Sequence, residues 1–430
     1  MYMARKGVAS IGGSGASHRC RFLFGYWAAA FTYVMLQAFT TLPSPLYNLY
    51  AARDHLSPLT ITLVYAAYAV GVALSLVLAG HLSDMFGRRP ILLAALMINV
   101  LAALVFILWP SLPGLFAARV VSGVAVGMSA STATAYLHEL FAAHHPPHHT
   151  HRAGVLAAAA SVGGLGVGGL ISGLIAETSQ DSLSTPYMVM ICLFALCVVV
   201  ILVAPETRGQ PDIRERYRPQ RIAVPLYARG QYFASLTGAA SVFALFGLFV
   251  GLAGTFLSQV WHHHSLWLSG TVLFVLFATG AITILATGHL LSRTLVRMGG
   301  SLMLGGLVIL VMSAWLPDPN LFLFVVAGAV IGAGGSILFR ASLAIAAGLA
   351  PAGRGAETLA GFFLAGYLGL SVPVVGIGIA LEFFSPRATL LGFSVIVAVT
   401  VIIAVLGLVR AHRLSQAVTA PDGAQQVQSS

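Results

Sequence analysis

An all-α integral membrane protein, with twelve transmembrane helices in two six-helix bundles, is the fold class that this sequence predicts. Three observations predict it. Of 430 residues, 58% are hydrophobic and 8% charged, whereas an ordinary soluble domain is about 25% charged. Twelve apolar runs of spanning length recur along the chain, and its longest hydrophilic stretch divides them six and six.

A spanning helix takes about 20 apolar residues, so twelve of them with short loops need roughly 240 to 350 residues, and the chain is long enough. So few charges cannot make a water-soluble surface, which excludes a soluble enzyme, a secreted disulfide scaffold and a disordered chain. Cys20, Cys192 and Cys197 form no disulfide or metal-ligand pattern and read as small apolar fillers. No set of nucleophile, base and oxyanion donors appears, and no phosphate loop, so the chain is not expected to be an enzyme.

In order, the apolar runs cover 22–42, 60–80, 91–110, 113–136, 153–175, 187–204, 232–258, 268–290, 299–315, 321–348, 357–380 and 388–409. The first follows a polar, basic arm and ends in Leu42-Pro43-Ser44-Pro45 without a small-residue cleavage site, so it is expected to remain as a span. Because proline restricts itself and its predecessor, the segment Leu42 to Tyr47 is expected to be broken and extended. The organisation is then an arm at 1–21, a first bundle at 22–204, a linker at 205–230, a second bundle at 231–410 and a tail at 411–430.

A net charge of +10 could suggest nucleic acid, but the positions of the basic residues argue otherwise. With the amino terminus inside, 19 of the 22 Lys and Arg fall on cytoplasmic segments, leaving Arg53 and Arg387 outside and Arg119 within a helix. The positive-inside rule therefore predicts both termini in the cytoplasm, in a bacterial-type inner membrane. The partners expected are the lipid bilayer and a small-molecule substrate, without nucleic acid, and the protein is expected to be a monomer. Six arginines crowd the linker, and Gly80-His-Leu-Ser-Asp84 after the second span has a faint echo in Gly288-His-Leu-Leu-Ser292 after the eighth, as a six-plus-six duplication would place it.

The segment Gly80-His-Leu-Ser-Asp84-Met-Phe-Gly87-Arg88-Arg89-Pro90 resembles the signature loop of the major facilitator superfamily. Gly80 permits close packing, Gly87 a sharp turn, Asp84 can face the positive end of a helix, and Arg88 and Arg89 anchor the loop. Arg119-Val-Val-Ser-Gly123 resembles the family's R-x-x-Q-G pattern, with Ser122 in place of Gln, and Pro205-Glu206-Thr207-Arg208 resembles its end-of-half signature. The resemblance implies an inner-gate charge network of Asp84, Arg88, Glu139, Arg152, Glu206, Arg340, Arg354 and Glu357, with Arg208 in the signature. Glu139 and Arg152 then have Arg340 and Glu357 as sign-exchanged counterparts, pairing within a half or across the gate. Span five, Gly164-Leu-Gly-Val-Gly168-Gly169-Leu-Ile-Ser172-Gly173, resembles the antiporter motif of the drug-efflux branches. It departs where Gly169 replaces proline and Ser172 replaces a glycine, and small residues at that spacing also let helices approach closely whatever is carried.

Burying an ionisable group in a membrane costs at least roughly 2.5 kcal/mol, so each is a functional hypothesis. Arg119 is the clear instance, with three roles open: binding an anion, polarising a proton carrier, or pairing with a carbonyl. No acidic residue falls at a midspan position, so proton coupling stays open; no cofactor is expected. In the family the pathway helices are chiefly one, four, seven and ten, with two, five, eight and eleven. The resemblance makes Tyr33, Gln37, Tyr65, Tyr68, Arg119, Gln259, Phe363 and Tyr367 the cavity candidates, although each aromatic also fits plain packing. Pro373 should kink span eleven, as a hinge or a static bend. Two histidine runs, His144, His145, His148, His149 and His151, and His262 to His264, lack Cys or carboxylate partners at metal-site spacing; solvated loops are expected and no metal site. The function implied is alternating-access transport of a small organic molecule, with export, as a drug or metabolite antiporter, leading. A sugar or metabolite facilitator or importer is the alternative, and a non-transporting membrane sensor the alternative of another class.

Overall fold

The computed structural model describes residues 12–79, 82–143, 150–207, 224–351 and 354–419. Among them are fourteen α-helices, twelve of which are long and apolar enough to cross a membrane. The first half comprises α1 (Gly12–Thr41), α2 (Tyr47–Asp54), α3 (Pro58–Ala79), α4 (Leu82–Phe86), α5 (Arg88–Leu108), α6 (Leu112–Ala142), α7 (Thr150–Thr178) and α8 (Thr185–Val203). The second comprises α9 (Arg229–Gln259), α10 (Leu266–Ala286), α11 (Ser292–Trp315), α12 (Leu321–Gly348), α13 (Gly355–Phe383) and α14 (Pro386–Thr419). The short helices α2 and α4 are connectors. Helices are what such a sequence must form in lipid, where every backbone N–H and C=O has to be satisfied within the segment.

Local signals set the helix ends. Ser265 and Asn320 accept the N–H groups of Leu268 and Leu323 at the starts of α10 and α12. Pro113 and Pro186 occupy first-turn positions of α6 and α8, where no N–H is needed. Between α4 and α5 the chain turns on Gly87, at φ 95°, a conformation that side chains resist.

Large apolar side chains cover the outside: Leu108, Val199, Leu202, Phe322, Ile403 and Phe383 are all exposed. A surface of this kind is stable only against lipid. Inside, small residues bring backbones together. A Cβ on Gly123 of α6 would lie 2.2 Å from the Tyr68 carbonyl oxygen of α3, and one on Gly332 of α12 would lie 1.8 Å from that of Leu276 in α10. The same fourth-to-second helix contact thus recurs in each half, at the helices that the sequence echo relates.

The halves meet along two seams, α7 with α10 and α3 with α13. Gly169 and Gly173 lie against Leu273, Leu266 and Gly270 of α10, and Gly378 of α13 lies against Leu59 and Thr62 of α3. The Gly378 contact is near the end of the bundle opposite the chain termini, and Asn48 meets Gly254 at that same end.

Three expectations need correction. The segment after α1 is not extended: Ser44 and Leu46 donate to the carbonyls of Thr41 and Pro43 in consecutive turns that lead into α2. Proline's fixed φ suits such turns as well as extended chain. Second, α11 begins at Ser292, seven residues before the apolar run, so Arg293 and Arg297 are on its first turns; the unbranched stem of arginine is compatible with helix. Third, α6 continues to Ala142, which places Glu139 within the helix. Pro373 lies inside α13, which runs unbroken past it.

Candidate functional site: a midbundle cluster between contacts at the two ends

At the end carrying the termini, the signature loop builds a charge network within the first half. Arg88, 6% exposed, donates through Nε and Nη2 to Glu139 Oε1 at 3.1 and 2.8 Å and through Nη1 to Ser83 at 2.7 Å. Glu206 accepts the backbone N–H groups of Arg88 and Arg89 at 3.1 and 2.9 Å, and so caps the start of α5 where the helix dipole favours an anion. Arg89 reaches the Leu202 carbonyl near the end of α8 at 2.6 Å, and Thr207 donates to Glu139 at 2.5 Å. Gly87 is required here twice over, by its φ and because a Cβ would lie 3.0 Å from Glu206. The network ties α4, α5, α6 and the end of α8 into one unit.

The second half is built differently. Arg340 donates to the carbonyls of Ile284, Thr287 and Gly288 at 3.4, 3.2 and 2.9 Å, compensating the negative end of α10. Arg354 pairs with Glu357 at 2.7 Å, one turn apart on the surface. Among the described contacts Arg340 therefore answers to backbone carbonyls and Glu357 to Arg354. Gly80, Arg208, His144, His145, His148 and His149 lie outside the described residues, as do the side chains of Asp84, His151 and Arg152.

In the middle of the bundle, polar groups from both halves converge. Gln37 Nε2 donates to Ser161 Oγ at 2.9 Å, while its Oε1 is buried with no partner. Tyr33 is within reach of Ser161 and Thr134, and Tyr68 of Thr40. The ring of Tyr68 meets Tyr367 of the second half edge-on at 6.2 Å, and Tyr65 packs on Gly251 of α9. Beyond Tyr367 lies an aromatic wall of Phe243, Phe339, Phe362 and Phe363. Gln259 does not join this cluster; it is the last residue of α9 and exposed, because that helix extends one residue past the apolar run.

Arg119 is 1% exposed. It donates to Tyr47 Oη at 2.5 Å and to the Thr40 carbonyl at 2.9 Å, with its guanidinium 5.3, 5.6 and 5.7 Å from the ring centroids of Tyr47, Tyr65 and Tyr68. Three aromatic faces and a carbonyl offset the cost of the buried cation without a carboxylate. Of the three roles open to it in the sequence, pairing with a carbonyl is the one present in this conformation, and Nη2 keeps a free donor. The Thr40 carbonyl is available because α1 ends at the next residue.

At the opposite end, Glu177 of α7 accepts the N–H groups of Leu266 and Trp267 and the hydroxyl of Ser265, joining the halves. Sequence reasoning missed Ser161, Thr40, Tyr47 and the Ser265-Leu266 cap. Ser161 was findable: with Gly164 and Gly168 it has spacings of three and four, so all three lie on the face of α7 toward α1. His262, His263 and His264 are exposed, and among the described residues no three His, Cys, Asp or Glu are grouped as metal ligands.

The family model described as Major Facilitator Superfamily matches residues 29–319, from α1 to the end of α11. The chain belongs to the Major Facilitator Superfamily. Within this superfamily it is similar to the arabinose-proton symporter of Bacillus subtilis (strain 168), 34% identical over 84 residues, a match spanning 20% of this chain and 18% of that relative's length. Its fold is that of the xylose transporter XylE from E. coli, solved in an inward open conformation, with a TM-score of 0.70 at 13% identity over 89% of this chain and 95% of the other. The chain is thus an integral membrane member of the superfamily, which is not a family of enzymes.

Proposed function

We propose that this superfamily transporter carries a small, hydroxyl-bearing organic solute of the sugar class by alternating access, the halves rocking about the two seams. The observation that carries this reading is the midbundle cluster. Ser161 engages one end of the Gln37 amide and leaves the other a buried open acceptor. A solute hydroxyl satisfies such an acceptor; a purely apolar cargo leaves it unmet. Tyr33, Tyr68 and Tyr367 supply further hydroxyls and flat faces on which a sugar ring stacks. The local likeness to an arabinose-proton symporter supports the same class. By the positive-inside rule the terminus-bearing end is cytoplasmic, so the present conformation is closed toward the outside.

A second reading, export of a lipophilic compound, draws on the wall of Phe243, Phe339, Phe362 and Phe363. The test is counterflow in proteoliposomes with labelled pentoses and hexoses, beside extrusion of a lipophilic dye. Saturable sugar counterflow supports the first reading. Dye extrusion without saturable counterflow of any sugar overturns it in favour of the second.

A further inference from the structure

At the terminus-bearing end of α11 an open groove of about 600 Å³ is lined by Arg293, Thr294, Arg297, Met298 and Ser301. Helical geometry explains the set: 293, 297 and 301 are four apart and form one stripe, rising about 6 Å per step. The opposite face of the helix is committed to packing, since a Cβ on Gly299 would meet α12 at Gly334 and Leu338, and one on Gly300 would meet Val405 of α14. The helix packs on α12 and α14 of its own half, and Thr294, Arg297 and Ser301 are exposed. The stripe therefore faces away from the protein, toward the bilayer. Arg293 Nε is buried and has no hydrogen-bond partner, and among the described residues neither arginine is in an ion pair. Two guanidinium groups, one with a buried Nε that has no partner among the described residues, and two hydroxyls lie together on the outer face of a spanning helix at its polar end, a donor set suited to an anion.

We propose that this groove binds the phosphodiester headgroup of an anionic phospholipid. Arg293 and Arg297 supply charge-assisted donors, Thr294 and Ser301 hydroxyls, and Met298 an apolar contact for the first acyl carbons. A headgroup fits better than free phosphate because the stripe continues along the span to Ser301, where an acyl chain has a place and a soluble ion does not. The inference is independent of which solute is carried.

The test uses the full-length protein in detergent, with thermal unfolding and native mass spectrometry read against added phosphatidylglycerol, phosphatidylcholine and inorganic phosphate. Phosphatidylglycerol is expected to raise the unfolding temperature and remain bound, and phosphatidylcholine to do so weakly. Arg293→Gln with Arg297→Gln should weaken the phosphatidylglycerol effect roughly thirtyfold in the concentration needed. The single Arg297→Gln, at an exposed position, should fold normally and lose part of it. Equal stabilisation by phosphatidylcholine overturns the proposal, as does an undiminished effect in Arg297→Gln, and inorganic phosphate acting as well as the lipid overturns the choice of source.

Discussion

The Glu177 carboxylate, one residue from the end of α7, lies 2.6 Å from the backbone nitrogen of Leu266 at the start of α10. It binds one half of the transporter to the other through the positive end of a helix, with Trp267 N at 3.2 Å as a second donor. Opening that end has to break these bonds. Glu177→Gln removes the charge and is expected to cost the closed state about 1 kcal/mol, close to a fivefold shift in population. In a background with Cys20, Cys192 and Cys197 replaced, the reaction of Thr62→Cys with an impermeant thiol reagent should speed up by that factor. An unchanged rate would show that the contact does not hold the seam.

Arg88 and Glu139 are expected to be coupled. Arg88 is almost fully buried, so removing the Glu139 carboxylate withdraws the charge that its Nε and Nη2 donate to in a place where a cation is costly. Glu139→Gln should lower stability by about 2 kcal/mol. A double-mutant cycle with Arg88→Gln should return a coupling above about 1 kcal/mol; additive losses would contradict the pairing.

Close packing of α1 on α7 depends on Gly168, where a Cβ would lie 1.8 Å from the Ala38 carbonyl oxygen. Gly168→Ala is expected to destabilise by about 1–3 kcal/mol. Gly305→Ala, at a site with nothing within 4 Å, is the control and should be neutral or slightly stabilising. The contrast in detergent melting temperature separates packing from helix propensity.

At the midbundle cluster, Gln37→Leu removes the open acceptor while keeping the volume. Solute binding should weaken about tenfold or more, with folding retained. In the same vesicles, collapsing a pH gradient should leave counterflow unchanged, because no described carboxylate lies in the cluster. Unaltered affinity in Gln37→Leu would remove that amide from the site.

Arg53 donates to the carboxylate of its neighbour Asp54 and also to the Pro110 carbonyl, and that hydrogen bonding holds the Asp54 carboxyl below its usual range. A depressed folded-state pKa contributes stability above the unfolded value, about 3.9, and loses it as pH falls through the folded value. The pair is exposed and solvent-screened, so the contribution stays below about 1 kcal/mol. The melting-temperature gap between the protein and Asp54→Asn should be small at neutral pH and close under acid.

Much of this was legible from residues alone, because lipid removes most alternatives. Apolar runs must become helices, their number follows from their length, and Gly87-Arg88-Arg89 and Glu206 mark the loop that closes the first half. Composition could not say which partners those charges take. Arg340 and Glu357 look complementary along the chain, yet Arg340 caps α10 and Glu357 pairs with Arg354, the residue just before its own helix. Likewise Arg119 was conspicuous as a buried cation, but the three rings and the Thr40 carbonyl that make it tolerable come from α1, α2 and α3. Helix existence depends on local hydropathy, which sequence carries in full. Pairing depends on which faces meet across long separations, and a hydrogen bond from α7 to α10, such as that of Glu177 to Leu266, exists only once the halves have docked.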